Sequence, residues 1–259
     1  MAYANNNGVQ IYYECHGQGR PLMLHHGRLN SARVWHRATY IEALQPGRQL
    51  IALDARGHGR SDKPHDPAQY TAKVMASDMI AVLDDLGIEK ADLFGYSMGG
   101  RIGFMGLAYF AERFSSLIAG GAAPYGPTVS RERELALAAS LQNGMAGYLL
   151  EMEAMLARKT PEPDRSERLA MDATAVHAMT SQGADWPVVV NEVMAANRPI
   201  QLFGGTADPL WPIIQKGHRE LPGSRLHALE GLGHSEALLK SGGVVPIVDE
   251  FLDWVVAAG

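Results

Sequence analysis

The sequence predicts an α/β fold: a mostly parallel, twisted sheet with helices on both faces and a block of helices inserted near its middle. Three observations predict it. Short apolar runs of strand length alternate with segments whose apolar residues recur at helical spacing, the pattern of strands joined by crossover helices. Glycine-rich turns follow several of those runs, and Gly95-Tyr96-Ser97-Met98-Gly99-Gly100 is the clearest. From about Gly126 to Val190 the alternation stops and no convincing strand occurs. The expected layout is therefore one core built from residues 1–125 and 191–259, with a helical cap inserted at 126–190.

Taken in order, Val9–Glu14 alternates like a half-exposed strand, and a turn at Gly17–Pro21 leads into the apolar run Leu22–Gly27. These two strands are expected to pair antiparallel at the sheet edge. Arg48–Leu53 reads as a buried strand, and the glycines of Asp54–Ser61 would let the chain turn sharply after it. Within that turn Arg56, His58 and Ser61 are expected to bind neighbouring loops. Thr71–Leu86 carries apolar residues at helical spacing. Lys90–Phe94 reads as a short strand and Arg101–Phe110 as a buried helix, one on each side of the glycine-rich turn. The strand at Leu117–Pro124 ends without a carboxylate. The inserted segment is rich in Ala, Leu and Met and reads as three or four helices, with Glu132–Glu134 and Arg165–Arg168 on polar faces. Its methionines at 145, 152, 155, 171 and 179 suit either an adaptable apolar roof or ordinary packing. Arg198–Phe203 and Ser224–Leu229 are further strands. A last helix, about Val245 to Ala257, has Pro246 near its start, where a missing N–H does no harm, and an apolar face of Ile247, Val248, Phe251, Leu252 and Val255.

Ser97 is the candidate nucleophile. Gly95–Gly99 matches the G-x-S-x-G pattern, a tight strand-to-helix turn that lifts a serine hydroxyl out of the backbone. A free hydroxyl is a weak nucleophile at neutral pH, so it needs a base and an acid that orients the base. His234, in the glycine-rich loop after the strand at Ser224–Leu229, is the candidate base. Asp208, in the loop Gly204–Pro209 after another strand, is the candidate acid, and the interval to His234 has room for one helix and one strand. Among the other histidines, His227 falls inside a strand pattern, His218 in a polar helical stretch, and His177 where it would line a pocket. Asp54 precedes the serine, the wrong order for a turn of this kind, and His25 and His26 read as loop supports.

Five blocks now stand in one order: Leu22–Gly27, Asp54–Ser61, the serine turn, the Asp208 loop and the His234 loop. Together they resemble the α/β-hydrolase fold superfamily, over nearly the whole chain. The resemblance implies a triad of Ser97, Asp208 and His234. It also implies an oxyanion hole from the backbone N–H groups of Met98 and Arg28. Arg28 departs from the aromatic or aliphatic residue common at its position. Its guanidinium would either meet a substrate carboxylate or fold onto an acidic residue of the cap. Tyr96 and Trp186 are the further candidates for substrate contact. The implied activity is hydrolysis of a small carboxylic ester, thioester or lactone. Ser97-Met98-Gly99-Gly100-Arg101 also resembles the turn of serine-triad enzymes that cleave C–C bonds of vinylogous diketones or eliminate pyruvate, for which Arg28 and Arg101 would hold carboxylates. A third reading is a hydrolase fold used as a ligand receptor.

Composition narrows the field. The chain has 259 residues, 46% of them hydrophobic, enough for one large core. Its net charge of −5 comes from intermixed acidic and basic residues, with no basic stripe to suggest nucleic acid. The single cysteine, Cys15, excludes an intramolecular disulfide and is expected to be buried and inert. The first residues lack the basic and apolar regions of a signal peptide, and no apolar run would span a membrane, so a cytoplasmic location is expected. No metal or phosphate-loop motif asks for a cofactor, and the expected partner is a small-molecule substrate.

Overall fold

The computed structural model describes residues 2–126, 130–156 and 159–258. Residues 127–129 and 157–158 of the expected helical segment, and Met1, lie outside the described residues. Eight strands form one sheet: β1 (Ala2–Asn6), β2 (Val9–His16), β3 (Arg20–His25), β4 (Arg48–Leu53), β5 (Ala91–Tyr96), β6 (Phe114–Gly120), β7 (Ile200–Gly205) and β8 (Arg225–Leu229). The helices of the first half are α1 (Arg33–Arg37), α2 (Tyr40–Leu44), α3 (Ala72–Asp85) and α4 (Met98–Phe110). Between β6 and β7 follow α5 (Arg131–Ser140), α6 (Gly144–Met155), α7 (Asp164–Leu169), α8 (Ala173–Gly183) and α9 (Val190–Ala196). The chain ends with α10 (Trp211–Glu220), α11 (His234–Leu239) and α12 (Ser241–Ala258).

The strand order is β1-β2-β4-β3-β5-β6-β7-β8, with β3 to β8 all parallel. Residues alternate across each strand, and the two cores divide them accordingly. Leu22, Leu24, Leu50, Ala52, Phe94 and Ile118 pack on one face with Trp35, Tyr40, Val248 and Phe251. Met23, Ile51, Leu53, Leu93 and Leu117 pack on the other with Met79, Leu83, Ile102 and Phe104. Strands buried on both faces read as continuous apolar runs, which is why the central ones were visible in the sequence.

Two expectations at the sheet edge are corrected. β2 does not pair with β3; it pairs antiparallel with β1 on one side and β4 on the other. The parallel crossover from β3 through α1 and α2 sets β4 between them, a long-range arrangement that the short turn at 17–19 does not reveal. At the other end, α12 starts at Ser241, so Pro246 stands inside the helix instead of at its first position. The expected apolar face of that helix is buried as read, from Ile247 to Leu252, and Val244 joins it. Cys15 is exposed: it shares the strand face of Ile11 and Tyr13 but stands near the end of β2, beyond the part of that face that the core covers. No helix among the described residues is long and apolar enough to cross a membrane.

Candidate active site

Every residue of the expected triad lies where a parallel strand ends, on the same edge of the sheet. Ser97 follows β5, Asp208 follows β7 and His234 follows β8. Ser97 has φ of 55° and ψ of −114°, a region that non-glycine residues rarely adopt, and the turn is held by its N–H donating to Gly120 O at 2.7 Å. The two glycines around it make that turn possible. A Cβ on Gly95 would lie 2.3 Å from Gly99 O, and one on Gly99 would lie 2.0 Å from His25 O.

His234 opens α11, and its backbone carbonyl accepts a hydrogen bond from the Tyr96 hydroxyl. Its Nδ1 stands 2.6 Å from Asp208 Oδ2, and its Nε2 stands 2.9 Å from Ser97 Oγ. A carboxylate only accepts, so the ring proton belongs on Nδ1, and Nε2 is left as acceptor for the serine hydroxyl. Asp208 is 3% exposed, and its other oxygen accepts the Leu210 N–H at 2.9 Å. The acid loop is tied to the histidine loop by Ala207 N–H donating to Leu232 O at 3.1 Å.

The loop after β3 passes directly beside the serine: a Cβ on Gly27 would sit 3.3 Å from Ser97 Cβ. Its backbone is anchored from below by the Asp54–Ser61 block. Leu29 N–H donates to His58 Nε2 at 3.3 Å, and Ala32 N–H donates to Asp54 Oδ1 at 2.6 Å. Ala55 N–H donates to His26 Nε2 at 3.0 Å, while His26 Nδ1 donates to Gly27 O at 2.8 Å. These bonds need neutral rings with one acceptor nitrogen. Burial supplies them: it pushes His58 and His25 down to about 3 and lowers His26 as well. The block is held in turn by Arg56, whose Nε donates to Asp78 Oδ2 on α3 at 2.7 Å.

Above Ser97 and His234 lies a cavity whose floor includes Arg28, Tyr96 and Met98. One wall is apolar, with Met152, Met155 and Leu156 from the end of α6. Of the five methionines singled out in the segment, these two face the cavity. Met145 and Met179 are buried in the core and Met171 packs against it. A second wall is charged. Arg28 pairs with Glu134 of α5 through Nη1–Oε2 at 3.0 Å and Nη2–Oε1 at 3.3 Å, and also donates to Tyr148 Oη at 3.2 Å. Of its two expected courses, the Arg28 side chain thus takes the pairing with an acid of the inserted helices while still lining the cavity. Glu134, read as part of a polar face, is 2% exposed. Burial opposes both charges of this pair, but their mutual attraction outweighs it, raising Arg28 and lowering Glu134.

Arg101 completes that wall. It is 2% exposed, donates from Nη2 to Gly183 O at 3.3 Å, and stacks over the Trp186 ring at 4.7 Å. Its Nε has no hydrogen-bond partner among the described residues. Burial draws its pKa down to about 10. Trp186 is therefore corrected as a substrate contact: it lies behind Arg101, buried, with its indole N–H donating to Tyr70 O at 2.9 Å. His177 is corrected as well; it is exposed on α8 and its Nδ1 bonds Ala138 O at 3.1 Å. Glu134 is the residue that sequence reasoning did not pick out for the site, although an acidic residue of the inserted helices was one of the two courses expected for Arg28. The signal was an arginine in a loop due to be covered, which calls for a carboxylate from whatever covers it.

The comparisons with known proteins agree with this architecture. The alpha/beta hydrolase fold family matches residues 20–164. A Bacillus subtilis protein named "Putative 2-succinyl-6-hydroxy-2,4-cyclohexadiene-1-carboxylate synthase" is 28% identical over 244 residues, 88% of each chain. "Putative carbamate hydrolase RutD" of Azorhizobium caulinodans is 42% identical over 118 residues, which are 45% of this chain and 43% of that one. Among solved structures, a thermophilic esterase from Thermogutta terrifontis superposes with a TM-score of 0.84 at 24% identity, over 98% of both chains. The fold and the family define the class, an α/β enzyme of the hydrolase type. The chain belongs to the alpha/beta hydrolase fold family.

Proposed function

We propose that the protein hydrolyses a small carboxylic ester, thioester or lactone through an acyl-enzyme on Ser97. The observation that carries this reading is the unbroken relay from Asp208 to His234 to Ser97, at 2.6 and 2.9 Å, on the floor of a cavity. His234 Nε2 takes the hydroxyl proton as Ser97 Oγ attacks the carbonyl carbon. Asp208 holds the imidazole in the needed tautomer and balances the imidazolium that forms. The backbone N–H groups of Met98 and Arg28 stabilise the oxyanion. The imidazolium returns its proton to the leaving oxygen or sulfur, and a water activated by the same ring releases the acid. The inserted helices act as a cap, and Met152 and Met155 adapt to the acyl or alcohol portion.

A fluorophosphonate tests the reading. It should attach once to the wild-type protein and not to Ser97→Ala, which should lose turnover by about 10⁴-fold or more. Labelling elsewhere, with activity kept in the mutant, would refute it. Failure of a broad ester panel despite labelling would favour a ligand receptor.

One observation favours a second reading, a C–C hydrolase or lyase acting on an anionic dienone-type substrate. Arg101 is a buried cation on the cavity wall with an unpartnered Nε, while Arg28 already has its carboxylate. A substrate carboxylate would meet Arg101 first. The relative that spans 88% of the chain carries a carboxylate in its printed name. Arg101→Gln should then lower kcat/KM for carboxylate-bearing substrates by roughly tenfold or more, the scale of one charge-assisted bond, and leave neutral esters nearly unchanged. Equal effects on both would remove this reading.

A further inference from the structure

Away from the cavity, three side chains with metal-binding chemistry converge. Glu14 and His16 stand two residues apart on β2 and so project from one face of the strand. His36 reaches them from α1. The donor atoms of the three all lie within 4.8 Å of one another. His16 Nε2 is 3.4 Å from Glu14 Oε1, and His36 Nε2 hydrogen-bonds the same oxygen. The two rings meet edge to face, with centroids 5.0 Å apart. None of the three lines the cavity above Ser97.

We infer that Glu14, His16 and His36 form a binding site for a zinc-class divalent transition-metal ion. Two features go beyond proximity. His16 Nε2 is a buried nitrogen with no hydrogen-bond partner among the described residues, although Glu14 Oε1 lies 3.4 Å away, so a ligand atom stands unsatisfied beside the shared carboxylate. Glu14 is also held from behind. Its Oε2 accepts the Tyr12 hydroxyl at 3.1 Å, and Tyr12 accepts from Arg60 Nη1 at 2.6 Å, which leaves Oε1 for the site. Such supporting bonds orient metal ligands and strengthen their grip.

The spacing suits the ion. Nitrogen and oxygen bind zinc at roughly 2.0–2.2 Å, which sets tetrahedral donors about 3.3 Å apart. His16 and Glu14 already stand at 3.4 Å. His36, which hydrogen-bonds Glu14 directly, has to open away from it to admit the ion, a movement open to a side chain that is partly exposed. Two imidazoles and one carboxylate, with the fourth position left to water, select zinc, cobalt, nickel or copper over magnesium and calcium, which prefer all-oxygen shells. The ion would pin β2 to α1, the helix that follows the Gly27–Ala32 loop.

Metal-free protein titrated with zinc chloride should bind one equivalent, and its melting temperature should rise by several degrees once zinc is about 100-fold above its Kd. Cobalt should give the visible absorption of a four-coordinate ion, and magnesium should do nothing. His16→Gln and His36→Gln should each weaken zinc binding by roughly tenfold or more, and the double variant should abolish it. His234→Ala should keep it, which separates this site from the active-site histidine. Absence of a zinc-dependent shift and of the cobalt spectrum in the wild type would overturn the inference without recourse to any variant. So would equal binding by the wild type and a folded double variant.

Discussion

Asp208 is the residue on which the proposed chemistry of Ser97 turns. Its one oxygen bonds the His234 ring and its other is fixed by the Leu210 N–H, so the carboxylate cannot rotate away. Asp208→Asn keeps the shape, but an amide can donate to Nδ1 and so favour the wrong tautomer. Turnover should fall by about 10⁴-fold with little change in melting temperature. Near wild-type kinetics would place the acid elsewhere. Glu134 is decisive in another way, because its carboxylate faces both Arg28 and the buried Arg101. Glu134→Gln removes the negative charge that offsets Arg28 beneath the inserted helices and leaves it only neutral acceptors, and breaking such a buried pair costs about 3–5 kcal/mol. Denaturant unfolding should register that loss. A change under about 1 kcal/mol would mean that water reaches the pair.

At the level of elements, strands and helices whose faces are both decided by the core were legible, and those decided by distant neighbours were not. β4 runs Arg48–Leu53, as its apolar run indicated, and α3 begins just after Thr71, whose hydroxyl caps Val74 N–H. β1 escaped notice because Ala2–Asn6 lacks β-branched residues; it exists through backbone pairing with β2. The meeting of Ser97, Asp208 and His234 was legible because each sits in a loop with its own glycine signature. The Arg28–Glu134 contact was not, since it joins residues 106 apart across two elements. Gly99 and Gly242 contrast two kinds of helical glycine. A Cβ on Gly99 would meet backbone at 2.0 Å, and one on Gly242 in α12 would meet nothing within 4 Å. Gly99→Ala should abolish soluble folded protein or lower its stability by more than about 3 kcal/mol. Gly242→Ala should raise stability by roughly 0.5–1 kcal/mol, since it restricts the unfolded chain at no steric cost. Similar melting temperatures for both variants would contradict the close packing of the serine turn against β3.

The whole molecule carries a further consequence of how the Gly27–Ala32 loop is anchored. His25, His26 and His58 are buried and held neutral, with His25 and His58 pushed down to about 3 by burial and His26 also lowered. In the unfolded chain a histidine takes up its proton near pH 6.5. Between about pH 6.5 and pH 3 the unfolded state therefore binds more protons than the folded one, so stability is complete above 6.5 and drains as pH falls. Each such ring contributes a slope of roughly 1.4 kcal/mol per pH unit inside that window. Glu134, whose acidity is strengthened beside Arg28, adds to the loss only below its unfolded value near 4.5. Asp78 works the other way: burial raises it despite Arg56, so protonation there favours the folded state and softens the fall at the acid end. Urea unfolding at pH 7, 5.5 and 4.5 should show a steep decline that starts before any carboxylate titrates. His58→Asn removes one of the three rings, so the decline should be shallower by about 1.4 kcal/mol per pH unit, even though the variant starts lower for want of the Leu29 bond. Unchanged stability from pH 7 to 4.5 would show that these rings are charged in the folded protein. Charged rings cannot accept the Leu29 and Ala55 N–H groups, and the backbone beside Ser97 would then need a different anchor.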